Sequence, residues 1–141
     1  MNHANQVGFS ALMLASQEGH AEVVTILLKA GAEVNHANQF GSSALSVASW
    51  CGSAESVSIL LAAGAAVNHA NQRGSSALII ASQKGHTEVV SILLAAGTNV
   101  HHTANNGWTA LRHATLRNHL EVVTLLNNHI AQLAAANNNN N

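Results

Sequence analysis

Val34-Asn35-His36-Ala37-Asn38-Gln39 returns letter for letter as Val67-Asn68-His69-Ala70-Asn71-Gln72, 33 residues further on. The same step separates Gly8, Gly41, Gly74 and Gly107, and it separates Leu12, Leu45, Leu78 and Leu111. Ala15, Ala48, Ala81 and Ala114 keep it, as do Glu22, Glu55, Glu88 and Glu121. A fixed period of roughly 20–50 residues marks a repeat architecture, in which each unit is too small to bury its own apolar face and does so against its neighbours. Four units follow: Asn5–Ala37, Asn38–Ala70, Asn71–Thr103 and Ala104–Ala136, forming one domain over residues 1–136. Met1 to Ala4 read as the tail of a preceding unit, and Asn137 to Asn141 as a low-complexity tail outside the array.

Within a unit the local chemistry is readable. Ser10, Ser43, Ser76 and Thr109 stand where a helix N-cap belongs, because a hydroxyl there accepts from a backbone N–H that has no partner in the first turn. A short helix follows. Gly19, Gly52 and Gly85 end it, with Asn118 in the fourth unit, these being the residues that best tolerate a left-handed helix end. The second helix, Ala21 to Ala30 in the first unit, is apolar on nearly every side and is expected to be buried on most of them. Glu22 and its equivalents lie in its first turn, where a negative charge suits the helix dipole. Gly31, Gly64 and Gly97 stop it, and an extended hairpin leads on to the next unit.

Composition bounds the function. The chain has 141 residues, 48% hydrophobic and only 8% charged, against about 25% charged in an ordinary soluble domain. The formal net charge of −1 offers no pull toward nucleic acid or an anionic membrane, and neither is expected as a partner. No apolar run reaches the ~18 residues of a membrane span. The N-terminus lacks the basic and apolar regions of a signal peptide. Cys51 is the only cysteine, which excludes an intramolecular disulfide and fits a reducing, cytoplasmic location.

The series Asn71-Gln72-Arg73-Gly74, Ser76-Ala77-Leu78, Ala81, Gly85-His86, Glu88-Val89-Val90, Leu93-Leu94 and Gly97 resembles the ankyrin repeat, and the resemblance recurs in all four units. It implies an all-α solenoid of helix–turn–helix units with β-hairpin fingers. Departures from the family pattern are consistent. The family's Thr-Pro-Leu-His segment reads Ser-Ala-Leu or Thr-Ala-Leu, and its histidine gives way to Met13, Ser46, Ile79 and Arg112. Its aspartate becomes Asn5, Asn38, Asn71 and Ala104. Each change is expected to weaken a polar tie and leave an array of moderate stability.

The resemblance also implies a function: binding a protein partner in a concave groove of finger tips and inner helices. The positions that flank the repeat glycine or end the first helix hold all four aromatic residues, Phe9, Phe40, Trp50 and Trp108, together with Glu18, Arg73, Lys84 and Arg117. Aromatic and arginine side chains are enriched among binding hot spots. Phe9, Phe40 and Trp108 have packing against a neighbouring finger as the competing role, and Trp50 has packing over the next helix. Arg73, Lys84 and Arg117 would favour an acidic segment.

Ten histidines raise the question of a metal. His3, His36, His69 and His102 form a ladder, but neighbouring units lie ~8–10 Å apart, whereas two nitrogens on one zinc, each ~2.0–2.1 Å from it, lie far closer together. No metal or other cofactor is expected. Titration of that ladder below about pH 6.5 would add positive charge to the fingers and alter binding. His20, His86 and His119 read as loop-fixing hydrogen-bond donors. With no aspartate, four of six glutamates in one structural slot, and no phosphate loop, the pattern provides no catalytic constellation, and no enzyme is expected.

The two ends differ. Leu14, Val47 and Ile80 correspond to His113, and Leu28, Leu61 and Leu94 to Asn127. With Arg112, Arg117, Asn128 and His129, these read as a polar C-terminal cap. The first unit keeps Met13, Leu14 and Ile26, which suggests a longer parent array or, as the alternative function, head-to-tail self-association through the first unit.

Overall fold

A computed structural model describes residues 10–139. The order is α1 (Ala11–Gln17), α2 (Ala21–Lys29), α3 (Ala44–Cys51), α4 (Ala54–Ala62), α5 (Ala77–Lys84), α6 (Thr87–Ala95), α7 (Ala110–Leu116) and α8 (Leu120–Asn139). Consecutive helices pair as four hairpins. The first helices of the units, α1, α3, α5 and α7, pack in sequence as an inner row, and α2, α4, α6 and α8 as an outer row. This is the expected solenoid. The fingers are leaner than hairpins of strands: the second and third keep one antiparallel bridge each, Ala37 with Ser43 and Ala70 with Ser76.

The helix boundaries follow the cap residues. Ser10, Ser43, Ser76 and Thr109 accept from the backbone N–H of Met13, Ser46, Ile79 and Arg112. A cap of this kind contributes about 1 kcal/mol. Gly52 and Gly85 both have φ of 76°, and at Gly52 a Cβ would lie 2.7 Å from Nδ1 of His86. Glycine there answers two demands, the left-handed turn and the close approach of the next unit. Asn118 takes the same conformation at φ 60°, the one non-glycine among the described residues to do so.

Each layer contributes the same side chains to the core. Leu45, Leu78 and Leu12 are buried from the inner row, with Val24, Val57, Val90, Leu60, Leu93 and Leu126 from the outer. Ala48, Ala81 and Ala114 have no exposed surface, so the helices approach through alanine while the leucines fill the space between layers. Burial of one such leucine stabilises by about 2 kcal/mol. The expectation that every outer helix is buried on most sides holds for α6 but not for α2. There only Val24 is buried, while Val23 and Ile26 are 42% and 63% exposed, because α2 has a packed neighbouring helix row on one side only among the described residues.

At the other end, positions that inner units bury turn polar. Buried Ile79 corresponds to exposed Arg112, and Leu94 to exposed Asn127. His113 does not belong to this cap, contrary to its sequence reading. It is buried, and its register points to the groove described below. Ile130 occupies the place of Gly31, Gly64 and Gly97, so α8 meets no glycine stop and runs on through Asn137–Asn139, with residues 131–138 exposed.

Candidate functional site

The inner helices and the fingers enclose a groove with two compartments. The first, about 500 Å³, lies over α3 and α5: Val47 and Ile80 line it from the helices, Phe40 and Arg73 from the fingers, Trp50 and Gln83 from the helix ends. The second, about 380 Å³, lies one unit further along, with Gln83, Asn105, Asn106 and His113 on its lining. Gln72, Arg73, Ser75 and Gln83 line both, so the two are parts of one trough across units two to four.

Its walls are held by bonds between units. The amide N–H of Gln72 donates to the Phe40 carbonyl at 3.1 Å, and that of Asn105 to the Arg73 carbonyl at 2.9 Å. Asn105 Nδ2 adds a bond to the Gln72 carbonyl at 2.8 Å, and Gln72 Nε2 donates to the Gln39 carbonyl. Each finger is shaped by its own asparagine: Asn38 Oδ1 accepts from Phe40 and Ser42, and Asn71 Oδ1 from Arg73 and Ser75, all at 2.9–3.0 Å. The turn that an aspartate would close therefore survives with a neutral acceptor.

Histidines tie loops both within a unit and between units. His69 and His102 donate from Nε2 to the carbonyls of Gly41 and Gly74, each at 2.7 Å. His86 and His119 reach back to the carbonyls of Trp50 and Gln83 at 2.8 and 3.0 Å. A carbonyl can only accept, so these rings carry their proton on Nε2. His3 lies outside the described residues. No group of three or more metal-ligating side chains is assembled among the described residues.

Trp50 is fixed from the neighbouring unit twice, its carbonyl by His86 and its ring by Lys84, whose Nζ stands 3.7 Å from the ring centroid. Such a cation–π contact is worth about 0.5–1 kcal/mol at an exposed site. The ring still leaves 52% of Trp50 exposed, the same fraction as Phe40. Burial pushes the neighbouring Cys51 thiol above its ordinary value, and the Glu18 carboxylate pushes the same way. The thiol is thus protonated at neutral pH and a poor nucleophile.

These layered hairpins have a counterpart among known proteins: a model of ankyrin repeats in three copies matches residues 1–71 and again 45–140. The chain belongs to the ankyrin-repeat family. Ankyrin repeats are generally protein–protein interaction modules and typically not catalytic. A search among curated proteins finds no match. No helix among the described residues is long and apolar enough to cross a membrane.

Of the residues singled out for the ankyrin groove, Phe40, Trp50 and Arg73 share the first compartment, and Lys84 joins it through the Trp50 ring. Glu18 and Arg117 are exposed helix C-caps outside both compartments. Phe9 lies outside the described residues. Trp108 is half-buried: its ring lies 4.8 Å from that of His113, and the Arg112 guanidinium stands 4.4 Å from its centroid. Both of these partners belong to its own unit. His113, 8% exposed with Nδ1 unpartnered, is held below the ordinary histidine range by burial first, then by Arg117 and Arg112. Sequence reading missed Val47, Ile80 and Gln83 as lining residues. For Val47 and Ile80 the signal is register: Leu14, Val47, Ile80 and His113 occupy one position of the inner helix, three of them aliphatic and so read as core, while Gln83 holds the position of Trp50 one unit on.

Proposed function

We propose that this ankyrin-repeat chain is an interaction module that holds a segment of another protein in the trough of units two to four, with Phe40, Trp50 and Arg73 as principal contacts. The observation that carries the reading is the pair of aromatic side chains, each half exposed, on one compartment whose walls are already tied in place. A rigid aromatic in a preformed site loses little freedom on binding, and covering it excludes a large apolar surface from water. Hot-spot aromatics cost about 2 kcal/mol or more when truncated. Trp50→Ala is therefore expected to weaken a captured partner at least about 30-fold with the helical circular dichroism unchanged. Equal affinity of the two chains for that partner would remove the groove from consideration. Head-to-tail stacking is the weaker alternative. It would lay Val23 and Ile26 of one copy against Arg112, Thr115 and Asn127 of the next, apolar against polar.

A further inference from the structure

The near-zero net charge conceals a division across the solenoid. Of five cations, Arg73, Lys84, Arg112 and Arg117 stand on the fingers and inner helices, with only Lys29 on an outer helix. Of six anions, Glu22, Glu55, Glu88 and Glu121 open the outer helices, Glu33 follows one, and only Glu18 caps an inner helix. Along the trough the sole formally charged lining residue is Arg73, which borders both compartments and has no carboxylate partner among the described residues. The first compartment sets Phe40, Val47, Trp50 and Ile80 among polar lining residues that include Gln17, Ser46 and Asn71. The second offers Arg73 with the amides of Gln83, Asn105 and Asn106.

Resting on the groove reading above, we propose that the occupant is an extended, acidic segment of another protein. It places an apolar side chain in the first compartment and an aspartate or glutamate carboxylate against Arg73 in the second. The two compartments are one unit apart. Layers repeat at ~8–10 Å, and an extended chain in the polyproline II form advances about 3.1 Å per residue and returns every third side chain to the same face, so the two anchors are about three positions apart. A guanidinium fork matches a planar carboxylate with two parallel hydrogen bonds. Phosphorylated segments are met by clusters of arginine, and this trough has one arginine among neutral amides.

The test uses the full chain and synthetic nonapeptides of Gly and Ser bearing one Leu and one Glu, with binding read by isothermal titration calorimetry. Peptides with the two anchors three positions apart are expected to bind more tightly than those one or five apart, and than versions with Gln or Lys for Glu. Arg73→Gln is expected to reduce the preference for Glu over Gln about three- to tenfold, and added salt to reduce it further. Arg73 is exposed, and an unchanged melting curve certifies the fold of the variant. If Gln and Lys peptides bind as tightly as Glu peptides while Trp50→Ala abolishes binding, the acidic assignment falls and the groove stands. Tighter binding of a phosphoserine peptide or of a single-stranded oligonucleotide overturns the carboxylate assignment in favour of that ligand. Binding that ignores Trp50→Ala, or no binding of any peptide at millimolar concentration, overturns both readings.

Discussion

His113 shows how one substitution in a repeat alters local chemistry. Its equivalents Val47 and Ile80 present hydrocarbon to the groove, whereas His113 is buried beneath Trp108 with Nδ1 unpaired. Its folded-state pKa lies below the ordinary histidine value, so the unfolded chain takes up the proton first as pH falls. Stability attributable to this ring is complete above the ordinary histidine range, about pH 6.5, and is lost as pH falls through that range toward the lower folded value. His113→Ile, which restores the residue of the third unit, is expected to lessen the drop in melting temperature between pH 7.5 and 5. The other histidines are common to both chains, so the difference between the two curves reports this residue. Parallel curves would show that the buried ring is not what acid attacks.

Among the elements, the short helices were legible because their ends carry chemistry: a hydroxyl at the start, glycine or Asn118 at the close. Asn118 at φ 60° is the sharpest instance, since a residue chosen for its tolerance of that conformation adopts it. The groove lining was not legible, and the reason is physical. An inner helix such as α5, Ala-Leu-Ile-Ile-Ala-Ser-Gln-Lys, is apolar almost all round, so no periodicity separates Leu78, which faces the core, from Ile80, which lines the trough. The aromatic residues were legible as candidates but not in role. Trp108 packs with His113 and Arg112; Trp108 and His113 hold the N′ and N4 places of a helix-start staple, a pattern masked because the partner is a histidine and not an aliphatic residue. The length of α8 turns on a missing signal, Ile130 where other units have glycine. Ile130→Gly is expected to remove helical ellipticity belonging to the residues beyond 130 and to shift the unfolding midpoint only slightly, because residues 131–138 are exposed. A cooperative loss of the whole helical signal would mean that the extension supports the array.

For the molecule as a whole, the ties between layers are uneven. His86 and His119 bind the second unit to the third and the third to the fourth, but Ser53 stands in their place at the first junction and makes no such bond. The first pair of helices should open most readily, with α1 and α2 amides exchanging faster than those of α5 and α6. Ser53→His is expected to supply a donor to the Gln17 carbonyl and to raise the stability of that junction by about 1 kcal/mol, read from hydrogen exchange and urea unfolding. No slowing of exchange in α1 would show that the histidine tie follows from packing and does not create it.

Each clasp between units reaches one neighbour and no further: His86 to Trp50, His119 to Gln83, Asn68 to Asn99. Every joint is thus a local agreement between adjacent copies, indifferent to how many lie beyond them. Removing or duplicating an interior block of 33 residues would leave all other couplings as they were, and the trough would shorten or lengthen by one compartment. Gene duplication can therefore vary the reach of the recognition surface without redesigning a single contact.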